Sequence, residues 1–188
     1  MERYDGGDNA LRGRNGPLRV TDTPRHQVPL LEKMIEAASK IGLPYNPDLN
    51  GARQEGIGMS QVTIAKGRRQ STAFAYLDPA RGRPNLMIEK GALARNLILE
   101  GRRCLGVRYS INGEIREARA AREVIVCSGA INSPKLLELS GIGQPDLLRA
   151  HGITPVHALK GVGENLRDHY SPRVKFEIIA RNATFNDN

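Results

Sequence analysis

The sequence of 188 residues predicts a mixed α/β fold, and three observations support this class. Residues 124–127 are apolar and mostly β-branched, and small residues and a helical pattern follow them, which is typical of a buried strand that turns into a helix. Asn112-Gly113 separates two strand-like segments and favours a tight hairpin. Apolar side chains at helical spacing over residues 29–41 predict an amphipathic helix.

Composition and charge narrow the class of protein. The formal net charge is +8, which would suit a nucleic-acid-binding module. However, the basic residues are scattered and often alternate with glutamate, and only 4% of the residues are aromatic, so the sequence lacks a basic block and a platform for stacking bases. No apolar run reaches the roughly 20 residues of a membrane span. We therefore expect a cytoplasmic protein with no nucleic-acid partner and no membrane span.

The histidines and cysteines do not form a metal-binding pattern. The four histidines contain neither an HxH nor an HExxH pair, and the two cysteines, Cys104 and Cys127, are far apart in the sequence. Both cysteines fall in apolar, strand-like runs. We therefore expect two buried, reduced thiols and no metal.

The first half of the chain is predicted to be rich in loops. We expect a short strand within residues 16–20, the amphipathic helix over residues 29–41 with Gly42 ending it, and turns over residues 43–61. Ser71 is suited to cap a short helix that ends before Pro79, because the residue preceding a proline disfavours the helical conformation.

The second half begins with predicted strands. These cover residues 86–89, 93–99 and 104–110, and residues 115–120 are expected to pair back on the third strand across the Asn112-Gly113 turn. The turn itself should be a solvent-exposed hairpin tip. The meander then leads into the predicted buried strand at 124–127.

A small-residue turn and a helix follow that strand. Residues 128–130 are Ser, Gly and Ala, which let another molecule approach the main chain. Asn132 or Ser133 is expected to cap the helix, Pro134 to take its first position, and residues 140–143 to end it. Many α/β proteins contain such units without a ligand, so the pattern leaves both a cofactor site and a purely structural turn open.

The remaining chain contains a second predicted helix and a glycine-containing loop. The helix covers residues 145–152, with proline at its start and glycine at its end. Residues 161–163 read Gly-Val-Gly, but Leu166 stands where a dinucleotide-binding fingerprint has its third glycine. The sequence therefore lacks that fingerprint.

Four motifs resemble the glucose-methanol-choline (GMC) family of flavin oxidoreductases. The longest covers residues 129–143 and reads GAINSPKLLELSGIG, and the other three read NG..QEG.G..Q, R.S.A.AYL and GVG.NL.DH, in the family's order. The resemblance extends over about residues 15–170. Arg167 stands where the family usually has glutamine, so no role is assigned to its side chain.

The resemblance implies an FAD cofactor, a small-molecule alcohol as substrate and hydride transfer from the alcohol to the flavin. It places Ala94 where the family usually has a valine whose main chain meets the adenine end of FAD. It places Ser128, Gly129 and Ala130 on a turn that lies against the cofactor.

The resemblance assigns no catalytic residue in this sequence. The family's catalytic histidine is expected beyond Asn188, and its phosphate-binding GxGxxG has no counterpart here. Asn165, Asp168 and His169 either lie near the flavin or brace their loop, and the sequence leaves both alternatives open.

The resemblance also implies a domain organisation. Residues 1–84 would be mostly substrate-domain segments and loops, residues 85–145 part of an FAD-binding domain of the two-dinucleotide type, and residues 146–188 a return toward the substrate domain. On this hypothesis the chain is an internal piece of an FAD-dependent alcohol oxidoreductase and is inactive alone. The alternative is a small, non-catalytic binding or structural module derived from the same fold. The alcohol, the electron acceptor and the oligomeric state are not indicated.

Overall fold

The computed structural model describes residues 2–6, 10–23, 29–172, 174–175 and 177–179. These residues separate into two compact units, one drawn from residues 1–87 and 174–188 and the other from residues 88–173. Both units combine strands with helices, which confirms the mixed fold class.

The first unit contains short strands and two helical segments. Strands β1 (Glu2–Tyr4) and β2 (Leu18–Val20) pair in parallel, and β3 (Ile64–Ala65) and β4 (Arg68–Arg69) form an antiparallel pair. Helix α1 (Pro29–Lys40) buries Ile35 and Ala38 on one face, and Gly42 follows it with a φ of +89°. The predicted strand within 16–20 and the predicted amphipathic helix are both confirmed.

A buried asparagine organises the loop that carries the QEG.G motif. The Nδ2 group of Asn46 donates to the carbonyl oxygens of Arg53 and Glu55, at 2.7 and 3.1 Å. A Cβ atom at Gly58 would lie 2.2 Å from the Asn46 carbonyl oxygen, so only glycine fits there. The small residues of the motif therefore let the two arms of the loop pack against each other.

The predicted short helix near Ser71 continues further than expected. A π-helical segment covers Ala73–Leu77, helix α2 covers Asp78–Ala80, and the hydroxyl oxygen of Ser71 accepts a hydrogen bond from the Phe74 amide at 3.4 Å. The prediction that the helix ends before Pro79 was wrong. The proline lies in the first turn of α2, a position in which helices accept proline.

The second unit is built on a three-stranded antiparallel meander. Strands β5 (Leu93–Glu100), β6 (Arg103–Ile111) and β7 (Glu114–Arg119) lie in that order. The β6–β7 turn is Asn112-Gly113, both exposed, with φ angles of +50° and +89°. These strands and the hairpin tip confirm the prediction for this region.

Two predicted strands are not strands in the structure. Residues 86–89 and 124–127 form no ladder with any described residue; Met87 is 88% exposed and Ile125 is 75% exposed. A strand is buried on both faces only when neighbouring strands and covering helices are present, and the meander forms its own separate sheet. Cys127 is consequently exposed and Cys104 is half-buried, so the expectation of two buried thiols was wrong, although both cysteines are free.

Two helices and a short parallel strand pair follow. Helix α3 (Gly129–Leu139) ends at Ser140 and Gly141, and helix α4 (Pro145–Ala150) begins on its proline. Strands β8 (Ile142–Gly143) and β9 (His157–Ala158) pair in parallel. The prediction for α4 and for the end of α3 is confirmed. None of the helices formed by the described residues is long and apolar enough to cross a membrane.

The start of α3 differs from the prediction. The helix begins at Gly129, Ser128 precedes it without a capping hydrogen bond from its side chain, and Pro134 lies inside it. The Ser133 hydroxyl accepts a hydrogen bond from the Ser128 amide at 3.0 Å. Gly129 takes a left-handed φ of +86° at the turn into the helix, a conformation that favours glycine, and the helix begins five residues before Pro134.

Candidate functional site

A cavity of about 320 Å³ lies between the start of β5 and one face of α3, and we call it the β5–α3 cavity. Ala94 and Ser128, which are 34 positions apart in the sequence, both line it. Its volume is within the range of small-molecule sites. The other lining residues are Ala92, Leu93, Arg95, Asn132, Lys135, Leu136 and Leu139.

The strand side of the cavity contains a β-bulge. Ala94 pairs with Tyr109 and Asn96 pairs with Arg108, so Arg95 is an extra residue without a partner position on β6. The Nε group of Arg95 donates to the hydroxyl oxygen of Ser110 at 3.0 Å. A bulge bends its strand and changes the direction of nearby side chains, and bulges are common beside binding sites.

The helix side of the cavity contains the start of α3. Amide groups in the first turn of a helix have no partner within the helix, and the helix dipole places partial positive charge there. A Cβ atom at Gly129 would meet nothing within 4 Å, so the main chain is open to an approaching molecule at this point. This end of the cavity is suited to hydrogen-bond acceptors such as hydroxyl or phosphate oxygens.

The walls of the cavity combine apolar and polar chemistry. Leucine side chains provide an apolar surface, while the Asn132 amide offers both donors and an acceptor, and Lys135 adds a positive charge. A flat aromatic base can lie on such an apolar surface while its polar edge bonds to an amide or to the main chain of β5. The residues present therefore fit the adenine end of a dinucleotide.

Sequence reasoning missed three of the polar lining residues, Arg95, Asn132 and Lys135. The two on the helix follow Ser128 by four and seven positions, which is the spacing of one helical face. This signal would have identified them if the helix had been started at Gly129 instead of at Pro134. Arg95 gave no comparable signal, because a bulge depends on the register of two strands.

Ala130 lies on the opposite side of α3 from Ala94 and Ser128. Its neighbours there are Pro134, Leu137 and the loop at residues 161–166, which together border a second cavity of about 610 Å³. The structure thus brings two of the four predicted site residues, Ala94 and Ser128, together in one cavity and separates Ala130 from them. Gly129 lies between Ser128 and Ala130 in the chain and lines neither cavity.

The three residues left open by the resemblance lie on the exposed loop that follows β9. Asn165 has a φ of +56°, and the carboxylate of Asp168 accepts a hydrogen bond from the main-chain amide of His169 at 2.8 Å. None of the three lines the β5–α3 cavity. Both alternatives, proximity to the flavin and bracing of the loop, remain as the sequence left them.

The first unit holds a separate buried network of charges. Arg12 is 7% exposed, donates to both carboxylate oxygens of Glu2 at 2.9 and 3.1 Å, and also contacts Asp48. The Arg12 guanidinium holds the pKa of Glu2 below its ordinary value. Burial, together with the hydrogen bond to Asp22, raises the pKa of Tyr4 to about 12.

This network connects β1 to the loop at residues 46–61, since Gln61 bonds to the same guanidinium at 2.9 Å. Its charges are paired within the network, so its chemistry is that of a structural anchor. In the described part of the chain, no group of three or more His, Cys, Asp or Glu side chains could hold a metal ion.

Comparison with protein families and curated sequences identifies relatives over nearly the whole chain. A family model described as GMC oxidoreductase matches residues 1–171. Oxygen-dependent choline dehydrogenases from Chromohalobacter salexigens and Klebsiella pneumoniae are each 46% identical, over 177 and 180 residues respectively. The matches cover 94% of this chain and 32% of each relative, so the chain spans about a third of the length of these proteins.

Two solved structures with a similar fold are an oxidase and an FAD-dependent oxidoreductase. A pyridoxine 4-oxidase from Mesorbium loti superimposes with a TM-score of 0.79 at 32% identity, covering 85% of this chain and 31% of the other. An FAD-dependent oxidoreductase from Chaetomium thermophilum gives a TM-score of 0.82 at 28% identity, covering 89% of this chain and 31% of the other.

Proposed function

The chain belongs to the GMC oxidoreductase family, and we propose that it is part of an FAD-dependent enzyme that oxidises the CH–OH group of a small alcohol. GMC oxidoreductases are FAD-dependent, and bound FAD supplies the acceptor for a hydride from the alcohol carbon. One observation carries the proposal. Ala94 and Ser128, which the family resemblance assigns to the cofactor, line one cavity of suitable size and polarity.

We propose specific contacts for the cofactor in the β5–α3 cavity. The main chain of Ala94 and the Asn132 amide would bond to the edge of the adenine, and the apolar walls would cover its face. Ser128 and the first amides of α3 would donate to ribose or phosphate oxygens. Lys135 would add favourable charge on the same side.

Gly129 and Ala130 would act through their main chain. Gly129 leaves open space where a side chain would otherwise obstruct the cofactor. Ala130 lies in the first turn of α3, so its amide would be available to the cofactor while its methyl group lines the second cavity.

The relatives indicate which alcohol to test first. Because the matched curated proteins are choline dehydrogenases, choline is the first alcohol to test.

We propose that residues 85–145 belong to an FAD-binding domain, and that residues 1–84 and 146–188 belong mainly to a substrate domain, in a cytoplasmic protein. No specific observation favours the alternative of a non-catalytic module.

The test uses the complete protein that carries this chain. It would be purified, its flavin absorbance per protein measured, and choline and other small alcohols added without oxygen while the absorbance of oxidised flavin is followed. We expect stoichiometric FAD and bleaching by at least one alcohol. A protein purified without flavin that also fails to take up added FAD would contradict the proposal.

A further inference from the structure

We propose that Ser140 is a positioning residue for the cofactor, because its hydroxyl group joins β5 to α3 and thereby sets the separation of the two walls of the β5–α3 cavity. Ser140 does not line that cavity itself. This inference rests on the proposed function and adds to it a residue outside the contacts described above.

The Ser140 hydroxyl makes two hydrogen bonds in a buried position. Its oxygen accepts from the main-chain amide of Leu97 at 2.8 Å and donates to the carbonyl oxygen of Leu136 at 2.6 Å. Ser140 is 8% exposed, and its two partners are 7% exposed each. A buried group with both of its partners present fixes the elements that carry them.

The bond to Leu97 occupies the free edge of the sheet. β5 pairs only with β6 among the described strands, so the amide of Leu97 that points away from β6 has no strand to bond with. The Ser140 hydroxyl takes the place of a neighbouring strand at this position. An unpaired buried amide there would cost the desolvation of a polar group.

Ser140 directly follows Leu139, which lines the cavity, so its hydrogen bonds hold the two walls together beside the cavity. Leu97 is three residues from Ala94 along β5, and Leu136 belongs to the same helical face that lines the cavity with Leu139. Because α3 and β5 are rigid elements, fixing them together near Ser140 also fixes the gap between Ala94 and Ser128. A looser connection would widen the β5–α3 cavity, which is proposed to hold the adenine end of FAD, and would leave any part of the cofactor site outside this cavity unaffected.

The hydroxyl group is required because it accepts and donates at once. Alanine at position 140 leaves the Leu97 amide without an acceptor, whereas threonine retains the hydroxyl. Cysteine has similar size but is a weaker donor and acceptor. These three substitutions therefore separate hydrogen bonding from size.

The experiment measures binding of two flavins to the complete apoprotein at 25 °C by fluorescence. FAD contains the adenine that the β5–α3 cavity would hold, and FMN lacks it. We expect Ser140→Ala to raise the Kd for FAD roughly tenfold, the equivalent of one hydrogen bond, and to leave the Kd for FMN unchanged. Ser140→Thr should return the Kd for FAD to within about threefold of wild type. Hydrogen exchange at the Leu97 amide should become faster in the alanine variant.

Ser39 offers a matched control in the first unit. Its hydroxyl also donates to the carbonyl oxygen four residues earlier, that of Ile35 at 3.0 Å, near the end of a helix, and it has no observed bond to any of the described strands. Ser39→Ala should lower the Tm without changing the Kd for FAD, because the residue lies in the unit that does not hold the cavity.

Several outcomes would overturn the inference. An FAD Kd in Ser140→Ala within about twofold of wild type, or equal losses for FAD and FMN, would reduce Ser140 to a general structural role. If the alanine variant does not fold, Ser140→Cys must bind FAD less tightly than Ser140→Thr, and the reverse order would contradict the proposal. A wild-type protein that binds no FAD would refute the proposed function itself and this inference with it.

Discussion

Gly129 has the most specific backbone requirement of the proposed site residues. Its φ of +86° is a conformation that side chains with a Cβ rarely adopt, and the space beside it is open. Strain of this kind costs on the order of 1–3 kcal/mol. A substitution there would therefore disturb the start of α3 and also place atoms where the cofactor is proposed to lie.

We predict that Gly129→Val in the complete protein lowers FAD occupancy more than Cys127→Val does. Valine at 129 both strains the turn and obstructs the approach, whereas position 127 is exposed and has no positive φ, so it accepts a branched side chain. Flavin absorbance per protein measures the result. Gly152→Ala controls for strain alone, because Gly152 has a φ of +71° after α4 and no neighbour within 4 Å of a Cβ. Equal occupancy in the two valine variants would remove Gly129 from the cofactor site.

Arg12 is the most buried charged side chain among the described residues, and it belongs to the first unit, whereas the β5–α3 cavity belongs to the second. Replacing it by methionine keeps much of its length but removes the guanidinium that pairs with the carboxylates of Glu2 and Asp48. Removing one partner of a buried ion pair typically costs 3–5 kcal/mol. We predict a loss of about this size in the local stability of the first unit, measured by hydrogen exchange of the Gly13 amide, which bonds to Glu2 at 2.9 Å.

The matched control for this prediction is Arg19→Met. Arg19 bonds to Asp5 at 3.0 Å, but both side chains are about half exposed, so the change should cost less than about 1 kcal/mol. Similar losses at the two positions would show that the buried network contributes no more than a surface ion pair.

Among the structural elements, those specified by neighbouring residues were predictable. Asn112-Gly113 defines the β6–β7 hairpin because both residues accept positive φ angles, and α1 follows from apolar spacing with Gly42 after it. The segment at 124–127 was not predictable in the same way. Its apolar residues specify what a strand would bury, but a strand also needs partners, and the described chain supplies none.

An insertion at the β6–β7 hairpin tip tests whether this element lies far from the cofactor and the reaction. We predict that two or three polar residues inserted between Asn112 and Gly113 leave FAD occupancy and alcohol oxidation by the complete protein nearly intact. Both turn residues are exposed, and neither lines the β5–α3 cavity. The tip does project from the end of the meander where Leu93, which lines the cavity, pairs with Ser110. Loss of turnover with retained folding would place the tip nearer to the chemistry.

Across the whole chain, the site could be predicted only where a motif and its geometry coincide. The resemblance pointed to Ala94 and Ser128 from separate segments, and the β5–α3 cavity contains both. It could not indicate that Ala130 faces the other side of α3, because that follows from the register of a helix whose start was misplaced. The bulge at Arg95 could not be predicted from the sequence either, since it arises from the register between two strands.

The last prediction concerns residues 1–188 expressed alone: they should neither hold FAD stably nor oxidise choline. The pyrophosphate of a dinucleotide needs amide donors on a glycine-rich turn between a strand and a helix, and the sequence contains no GxGxxG. The β5–α3 cavity would then offer the adenine end alone, with only part of the binding free energy of FAD.

The exposed residues Ile125 and Cys127 should also favour aggregation of this chain, since an apolar segment without a strand partner can pair with other molecules. The measurement is a titration of the purified chain with FAD by fluorescence quenching, in parallel with the complete protein, and an assay of choline oxidation by both. We expect tight binding and turnover only for the complete protein. Stoichiometric FAD binding by residues 1–188 would contradict the prediction, because it would mean that this chain supplies the phosphate contacts from residues other than a glycine-rich turn.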